Sequence, residues 1–459
     1  MKSILSAASL LLAVATSLSA STRPCQIYLL GAKHNLVSNQ IIPGNTDYDI
    51  GGEVRFTCYQ DRTVHLDADS VSIKSGQYMQ LIGHAVYYDT AYRFTADSMI
   101  YHTPIEKIEA RRNVHVLDLH SGSTLVGPYV DYWRQVRGIN DSARVVAIAR
   151  PVVRYFTRTT VRDTGAEHPY VLSGDRLIGF GQSKLWGSGG VTIDRQALHG
   201  EGDSMAFVRN KDASVGQLLG PKSMLHRGGA DSFTVLGHEI RLATAADKLR
   251  ELRSFTDAQV LRGASRITGD TIVLGFTDEK LGSTIAWARK TGATLHSAGY
   301  DARGDSLAVD SPAEILREVR LFGDGVIVNP RDSGATRPPL TPGDSVTPDT
   351  LRNTIWGDRI LAHFSQVDSA GTLVSHLSQL HSYGKAASLY SRVVVKDGKK
   401  SPSTNYTRAD TILMVMRSGD STGVISVQAF GHVDGLEQET ASLRHPADTT
   451  KRAGKVIVP

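Results

Sequence analysis

Apolar residues along this chain come in short alternating runs, and the breaks between runs carry a recurring polar signature. The pattern is Ala or Gly, then Asp, then usually Ser or Thr, then apolar, any residue, apolar. It reads ADSVSI at 68–73, ADSMIY at 96–101, GDSMAF at 202–207 and ADSFTV at 230–235. It returns as GDTIVL at 269–274, GDSLAV at 304–309 and ADTILM at 409–414, with looser copies at 127–132, 174–179 and 357–362. A second motif lies between copies: Gly83-His84, Asn113-Val114, Gly190-Val191, Gly237-His238, Gly323-Asp324 and Gly431-His432. Period-two alternation predicts strands, and repetition every few tens of residues predicts a stacked array of two-strand units. Asp69, Asp97, Asp175, Asp203 and Asp231 bound three intervals of 28 residues, which gives the unit its length.

Simple alternation puts Val71 and Ile73 on the face of Asp69, and Met99 and Tyr101 on the face of Asp97. In the second strand type, Met79, Leu81, Gly83, Ala85 and Tyr87 share one side, as do Ile108, Ala110, Arg112, Val114 and Val116. The Asp is expected at a strand entrance, closing an Asx-type turn. Equivalent carboxylates spread along an array do not make an acid–base pair, which needs two groups at one spot with divergent pKa values. One copy even has Pro128 in place of the Asp. The duplicated stretches Leu249–Arg253 and Leu316–Arg320 also read as strand.

The chain has 459 residues, 43 of them Gly and only 7% aromatic, a composition that suits strands and turns. Residues 1–20 read as a cleavable signal peptide: Lys2, then apolar Ile4–Ala20 ending in small residues. Two cysteines, Cys25 and Cys58, allow one pairing in an oxidising compartment; a bridge pinning the lead-in and two unpaired thiols both stay open. The +5 charge and pI near 9 suit anionic partners such as phosphorylated glycolipid. A nucleic-acid role is not expected, since there is no dense Lys/Arg stripe. Residues 21–58 read as a lead-in, 59–137 and 174–328 as repeats, and 138–173 as an irregular connector. The Pro-rich 329–353 reads as a linker, 354–436 as C-terminal repeats and 437–459 as a disordered tail.

Units of the form Ala-Asp-x-apolar-x-Tyr followed by a Gly-Asn-Val-like strand resemble the OstA/LptA-like family, most closely from Asp67 to Tyr132. The resemblance rests on Ala96–Tyr101, Ala110–Val116 and Gly122–Gly127; Arg112 departs from the family's usual Gly. It implies an all-β, elongated array of short antiparallel strands, folded over as a β-jelly-roll or β-taco. It also implies a periplasmic protein that takes part in lipopolysaccharide transport and outer-membrane assembly, shields lipopolysaccharide acyl chains in an apolar groove and joins like proteins by edge-strand pairing.

Such a carrier needs no catalytic residue, metal or cofactor. The expected lining of the lipid groove is Val71, Ile73, Met79, Leu81, Met99, Tyr101, Ile108, Val114, Val116, Val130 and Tyr132. The ordinary alternative for such a stripe is a closed core. His84, His238 and His432 occupy equivalent turns and read as turn residues, since zinc needs three or four converging ligands. The competing readings are a structural or adhesive β-solenoid of the envelope and a polysaccharide-active enzyme.

Overall fold

The computed structural model describes residues 24–439, except 35, 43–44, 60, 157–167, 182, 211–212, 230–231, 246–247, 298–299, 313–314, 330–352, 370–371, 397–398 and 417–423. The signal peptide, linker residues 330–352, tail residues 440–459 and Asp231 lie outside the described residues, while residues 437–439, read as the start of a disordered tail, belong to the last strand, Asp434–Glu439. Among the described residues there is no α-helix, and the strand pairs are antiparallel. The chain divides into two units, Met1–Gln196 with Ala206–Arg209, and Ala197–Met205 with Asn210–Pro459.

The first unit holds β1 (Ile27–Gly31), β2 (Leu36–Ile42), β3 (Asn45–Cys58), β4 (His65–Lys74), β5 (Tyr78–Tyr88) and β6 (Tyr92–His102). It continues with β7 (Lys107–Asp118), β8 (Thr124–Trp133), β9 (Arg144–Ile148), β10 (Val152–Tyr155), β11 (Tyr170–Ser173), β12 (Arg176–Phe180) and β13 (Lys184–Arg195). The boundary between units falls in β14 (Leu198–Asn210). The second unit then runs through β15 (Ala213–Arg227), β16 (Phe233–Ala245), β17 (Lys248–Arg262), β18 (Ser265–Thr277), β19 (Lys280–Trp287), β20 (Ala293–His296), β21 (Asp301–Gly304) and β22 (Ser306–Asp310). It ends with β23 (Glu318–Asn329), β24 (Asn353–Ser369), β25 (Thr372–Lys396), β26 (Lys399–Met416), β27 (Val424–Phe430) and β28 (Asp434–Glu439).

The second strand type, read as continuous from Met79 to Tyr87 and from Ile108 to Val116, is one long strand hinged at mid-length. In β5 the hinge is Gly83 (φ 77°) and His84 (φ 40°); in β7 it is Arg112 (59°) and Asn113 (49°). The same left-handed pair recurs at Ala149-Arg150, Gly189-Gly190, Thr256-Asp257, Gly323-Asp324 and Gly384-Lys385. Register with the neighbours shifts at each hinge, for example between Arg111 and Val114 against β8, the mark of a bulge that bends its strand. Within each unit the pairing of neighbouring strands breaks at the same level, which divides the unit's sheet into two limbs. Residues before and after a hinge pair only with residues of their own limb: Ile108 with Tyr132, Val116 with Leu125.

The Asp motif sits at that bend: Asp175 and Asp305 directly precede β12 and β22, as expected of a strand entrance, whereas Asp69, Asp97, Asp203, Asp270 and Asp410 lie inside their strands. Asp69 lies mid-way along β4, exposed, between Ala68 and Ser70. Inward positions there run Leu66, Ala68, then Val71, so the alternation slips one place at the Asp. Asp69 and Asp97 therefore do not share the face of Val71 and Met99. Gly237-His238 is also corrected: it belongs to the straight strand β16, with its hinge partner Thr256-Asp257 on β17.

Two segment readings change. Residues 27–58 are β1–β3, already part of the sheet, and the connector at 138–173 contains β9, β10 and β11. There β9 and β10 are the two limbs of one hinged strand, both paired to β8, and β12 and β11 follow in the same way.

Candidate interior site between the two limbs

The inner faces of the limbs meet as a sandwich. In the first unit Tyr132, from one limb, packs its ring against Tyr87, Phe94 and Tyr92 of the other at centroid distances of 6.0, 5.0 and 5.3 Å. Burial drives the Tyr87 and Tyr132 phenols well above their ordinary pKa, with the Asp89 charge adding to it, so both stay protonated donors. Both donate to Asp89 Oδ2, at 2.7 and 3.0 Å, while the backbone N–H groups of Ala91 and Tyr92 donate to Oδ1 at 2.8 Å. A buried carboxylate with four donors is satisfied, and it ties one limb's tip to the other's inner face.

A second tie sits nearer the N-terminal end. The short turn Thr103–Ile105 ends at Glu106, in a left-handed conformation (φ 52°) and fully buried. Its carboxylate accepts from Tyr101 Oη (2.6 Å), Arg134 Nε (3.0 Å) and the Cys25 backbone N–H (2.5 Å). Burial opposes the Arg134 charge, but its hydrogen bond and attraction to Glu106 outweigh that and hold its pKa above the ordinary value. Arg134 Nη1 also donates to Asp61 at 2.9 Å, across the lips. Cys25 is disulfide-bonded to Cys58, with Cα atoms 5.3 Å apart. Residues 24–26, just before β1, thus form a strap from the Cys58 lip to the Glu106 lip.

Beneath that strap lies a cleft of about 580 Å³, bordered by Ile27, Leu29, Ile50, Phe56, Ile73 and Met79. A smaller space of about 100 Å³ opens between the limbs further along the unit, against Val116, Leu125, Val153, Tyr155, Leu177 and Phe207. The second unit has its own interlimb cleft of about 400 Å³, where Val260, Ile267 and Leu295 face Leu281, Val309 and Leu316, with Tyr300 and Arg262 at its border.

Of the eleven residues expected to line a groove, Ile73 and Met79 border the larger cleft and Val116 the smaller space. Val71, Leu81, Met99, Tyr101, Ile108, Val114, Val130 and Tyr132 also face inward but are 2% exposed or less, packed against their neighbours. Sequence reasoning missed Leu29, Ile50 and Phe56, because the lead-in was read apart from the sheet. Their signal was present in the alternation of Ile50, Val54, Phe56 and Cys58, once a hinge at Gly52-Glu53 is allowed.

The outer bend carries a ladder of exposed polar pairs. His84 Nδ1 lies 2.8 Å from Asp69 Oδ2, Asn113 Nδ2 donates to Asp97 at 2.9 Å, and His432 Nδ1 lies 3.0 Å from Asp410 Oδ2. Where the preceding strand carries Pro128, Arg150 turns instead to the following one and donates to Asp175 at 3.2 Å. At His238–Asp257 the partners are exchanged between strands, at 3.6 Å. The hydrogen bond to Asp69 and its charge raise the His84 pKa. Among the described residues no three His, Cys, Asp or Glu side chains are grouped to hold a metal ion.

This geometry defines a class: an all-β protein of hinged antiparallel strands folded over an apolar interior, with the lips tied together in the first unit. Among solved structures, the chain shares 14% identity with LptH from Pseudomonas aeruginosa, described as the LptA-homologous periplasmic component of the lipopolysaccharide transport device. The match covers 26% of this chain and 83% of that one, with a TM-score of 0.23. No protein-family model matches the chain, and no curated protein matches it.

Proposed function

We propose that this protein is an exported, non-catalytic carrier or scaffold that takes the acyl chains of lipopolysaccharide or a similar glycolipid between its limbs, in the periplasm. The observation that carries this reading is the 580 Å³ cleft with its apolar border of Ile27, Leu29, Ile50, Phe56, Ile73 and Met79. Each methylene removed from water contributes about 0.8 kcal/mol, so such a space favours a hydrocarbon tail without any reactive group. The exposed Leu36, Val37 and Tyr48 continue the apolar surface to β2, at the edge of the sheet. Edge pairing with a like transport protein would extend the cleft there.

The test is site-specific photo-crosslinking with lipopolysaccharide. A photo-reactive residue at Ile73 is expected to label, and one at the outward-facing Val126 is not. Labelling at Val126 with none at Ile73 would sink the carrier reading.

A further inference from the structure

The outer face of one limb of the first unit holds an aromatic and cationic surface that the interior site does not use. Residues on β7, β8, β9, β12 and β13 line up there in three rows across the sheet. The outermost is Lys107, Trp133, Arg144, Phe180 and Lys184. The middle row is Glu109, Asp131, Val146, Ile178 and Trp186. The row beside the bend is Arg111, Tyr129, Ile148, Arg176 and Ser188.

Both carboxylates are taken within the face. Lys107 Nζ reaches Glu109 at 2.7 Å and Asp131 at 3.0 Å, and Arg111 reaches Glu109 at 2.9 Å and Asp131 at 2.7 Å. Arg144, Arg176 and Lys184 are then in excess. The Arg144 guanidinium lies 3.8 Å from the Trp133 ring centroid, and its buried Nε has no hydrogen-bond partner. Phe180 and Trp186 meet edge to face at 5.1 Å. Tyr129, Ile148 and Trp186 are each more than 40% exposed on a strand face that is normally polar when it meets water.

We infer that this face docks on an anionic membrane surface, with Trp186, Tyr129 and Ile148 at the headgroup level and Arg144, Arg176 and Lys184 against lipid phosphates. Trp and Tyr favour the boundary between hydrocarbon and water because their rings are amphipathic, and flanking cations add attraction to anionic lipid. Five adjacent strands span about 20 Å, so the exposed rings and the excess cations lie close enough together to meet one lipid surface at once. A sugar platform would need free carboxylates or amides beside the rings, and here both carboxylates are already occupied. The inference stands apart from the interior cleft.

The experiment is co-sedimentation of the full chain with vesicles of phosphatidylcholine, with and without phosphatidylglycerol. Binding is expected only with the anionic lipid, and it should weaken with added salt. Arg176→Glu is expected to lower vesicle affinity about thirtyfold, since two units of charge change at the surface. Trp186→Ala is expected to lower it as well. Arg154→Glu, on the exposed outer face of the other limb, is the control and should bind as the unaltered protein does. Trp186→Phe should lose the blue shift of tryptophan emission on vesicle addition, while Trp356→Phe keeps it. Equal binding to both vesicle types, unchanged binding of Arg176→Glu, or an equal loss with Arg154→Glu would each overturn the inference. Crosslinking at Ile73 reads the interior site independently, so either result can fail alone.

Discussion

At single positions, the bend sets the strictest demands. Gly83 sits at φ 77°, and a Cβ there would come 2.2 Å from Asp69 Oδ2. Gly76 also has a positive φ but open space around it. Gly83→Ala should therefore destabilise the first unit by clearly more than the roughly 1 kcal/mol expected of Gly76→Ala, as read by urea midpoints. Arg112 occupies the same left-handed region at φ 59°. Arg112→Gly should raise stability by about 1 kcal/mol, because the side chain's steric cost is removed. Glu106→Ala would leave Arg134 buried without its main partner, and Tyr101 Oη and the Cys25 N–H without an acceptor. It should cost about 3–5 kcal/mol in denaturant unfolding.

The exposed bend pairs predict a pH signature with a definite sign. His84 has its folded pKa raised by Asp69, so its contribution is full below the ordinary histidine value of 6.5 and lost as pH rises through the raised value. Asp410 is the mirror case: the His432 hydrogen bonds lower its pKa. Its contribution is present above 3.8 and lost as pH falls through the lowered value. Unfolding midpoints of the unaltered protein and His84→Gln should differ at mildly acidic pH and converge at alkaline pH. A difference that grows toward alkaline pH would contradict the assigned pair.

At the scale of strands, period-two alternation was enough to place strands, to separate inward from outward residues within each limb, and to exclude helices. It misplaced the corner in straight strands such as β4, because the straight and hinged strands solve the same corner differently. The straight strand slips phase by one at its Asp, so Leu66 and Ala68 face in and then Val71 does. The hinged strand keeps phase through two left-handed residues, so Ala110 and Val114 both face in. Neither event is visible to a search for regular periods. The strap was illegible for another reason: two cysteines define a pairing but not where the lips lie. The Cys25–Cys58 bridge closes a segment of 33 residues. Replacing both cysteines with serine should cost about 3–4 kcal/mol and speed amide exchange in β1.

Across the chain, the repeats, their two-strand character and the all-β class were readable from the start. The division inside β14 was not, because the Asp motif at 202–207 continues across it without a change of composition. Most contacts join strands adjacent in sequence, as in a repeat protein whose units contact only their neighbours. Substitutions in different units that share no partner should then combine independently. Gly83→Ala and Gly384→Ala, which face Asp69 and Asp358 respectively, should add to within about 0.5 kcal/mol in a double-mutant cycle.

The hinges have one further consequence. Because pairing restarts on either side of each left-handed pair, a change of limb length need go no further than its own hairpin tip. The limbs already differ: the part of β5 before its hinge begins at Tyr78, five residues short of Gly83, whereas in β25 twelve residues precede Gly384. Natural variants of such a chain would accumulate insertions and deletions at the tips, such as Ser75–Gln77, while the spacing between successive bends stayed free to drift.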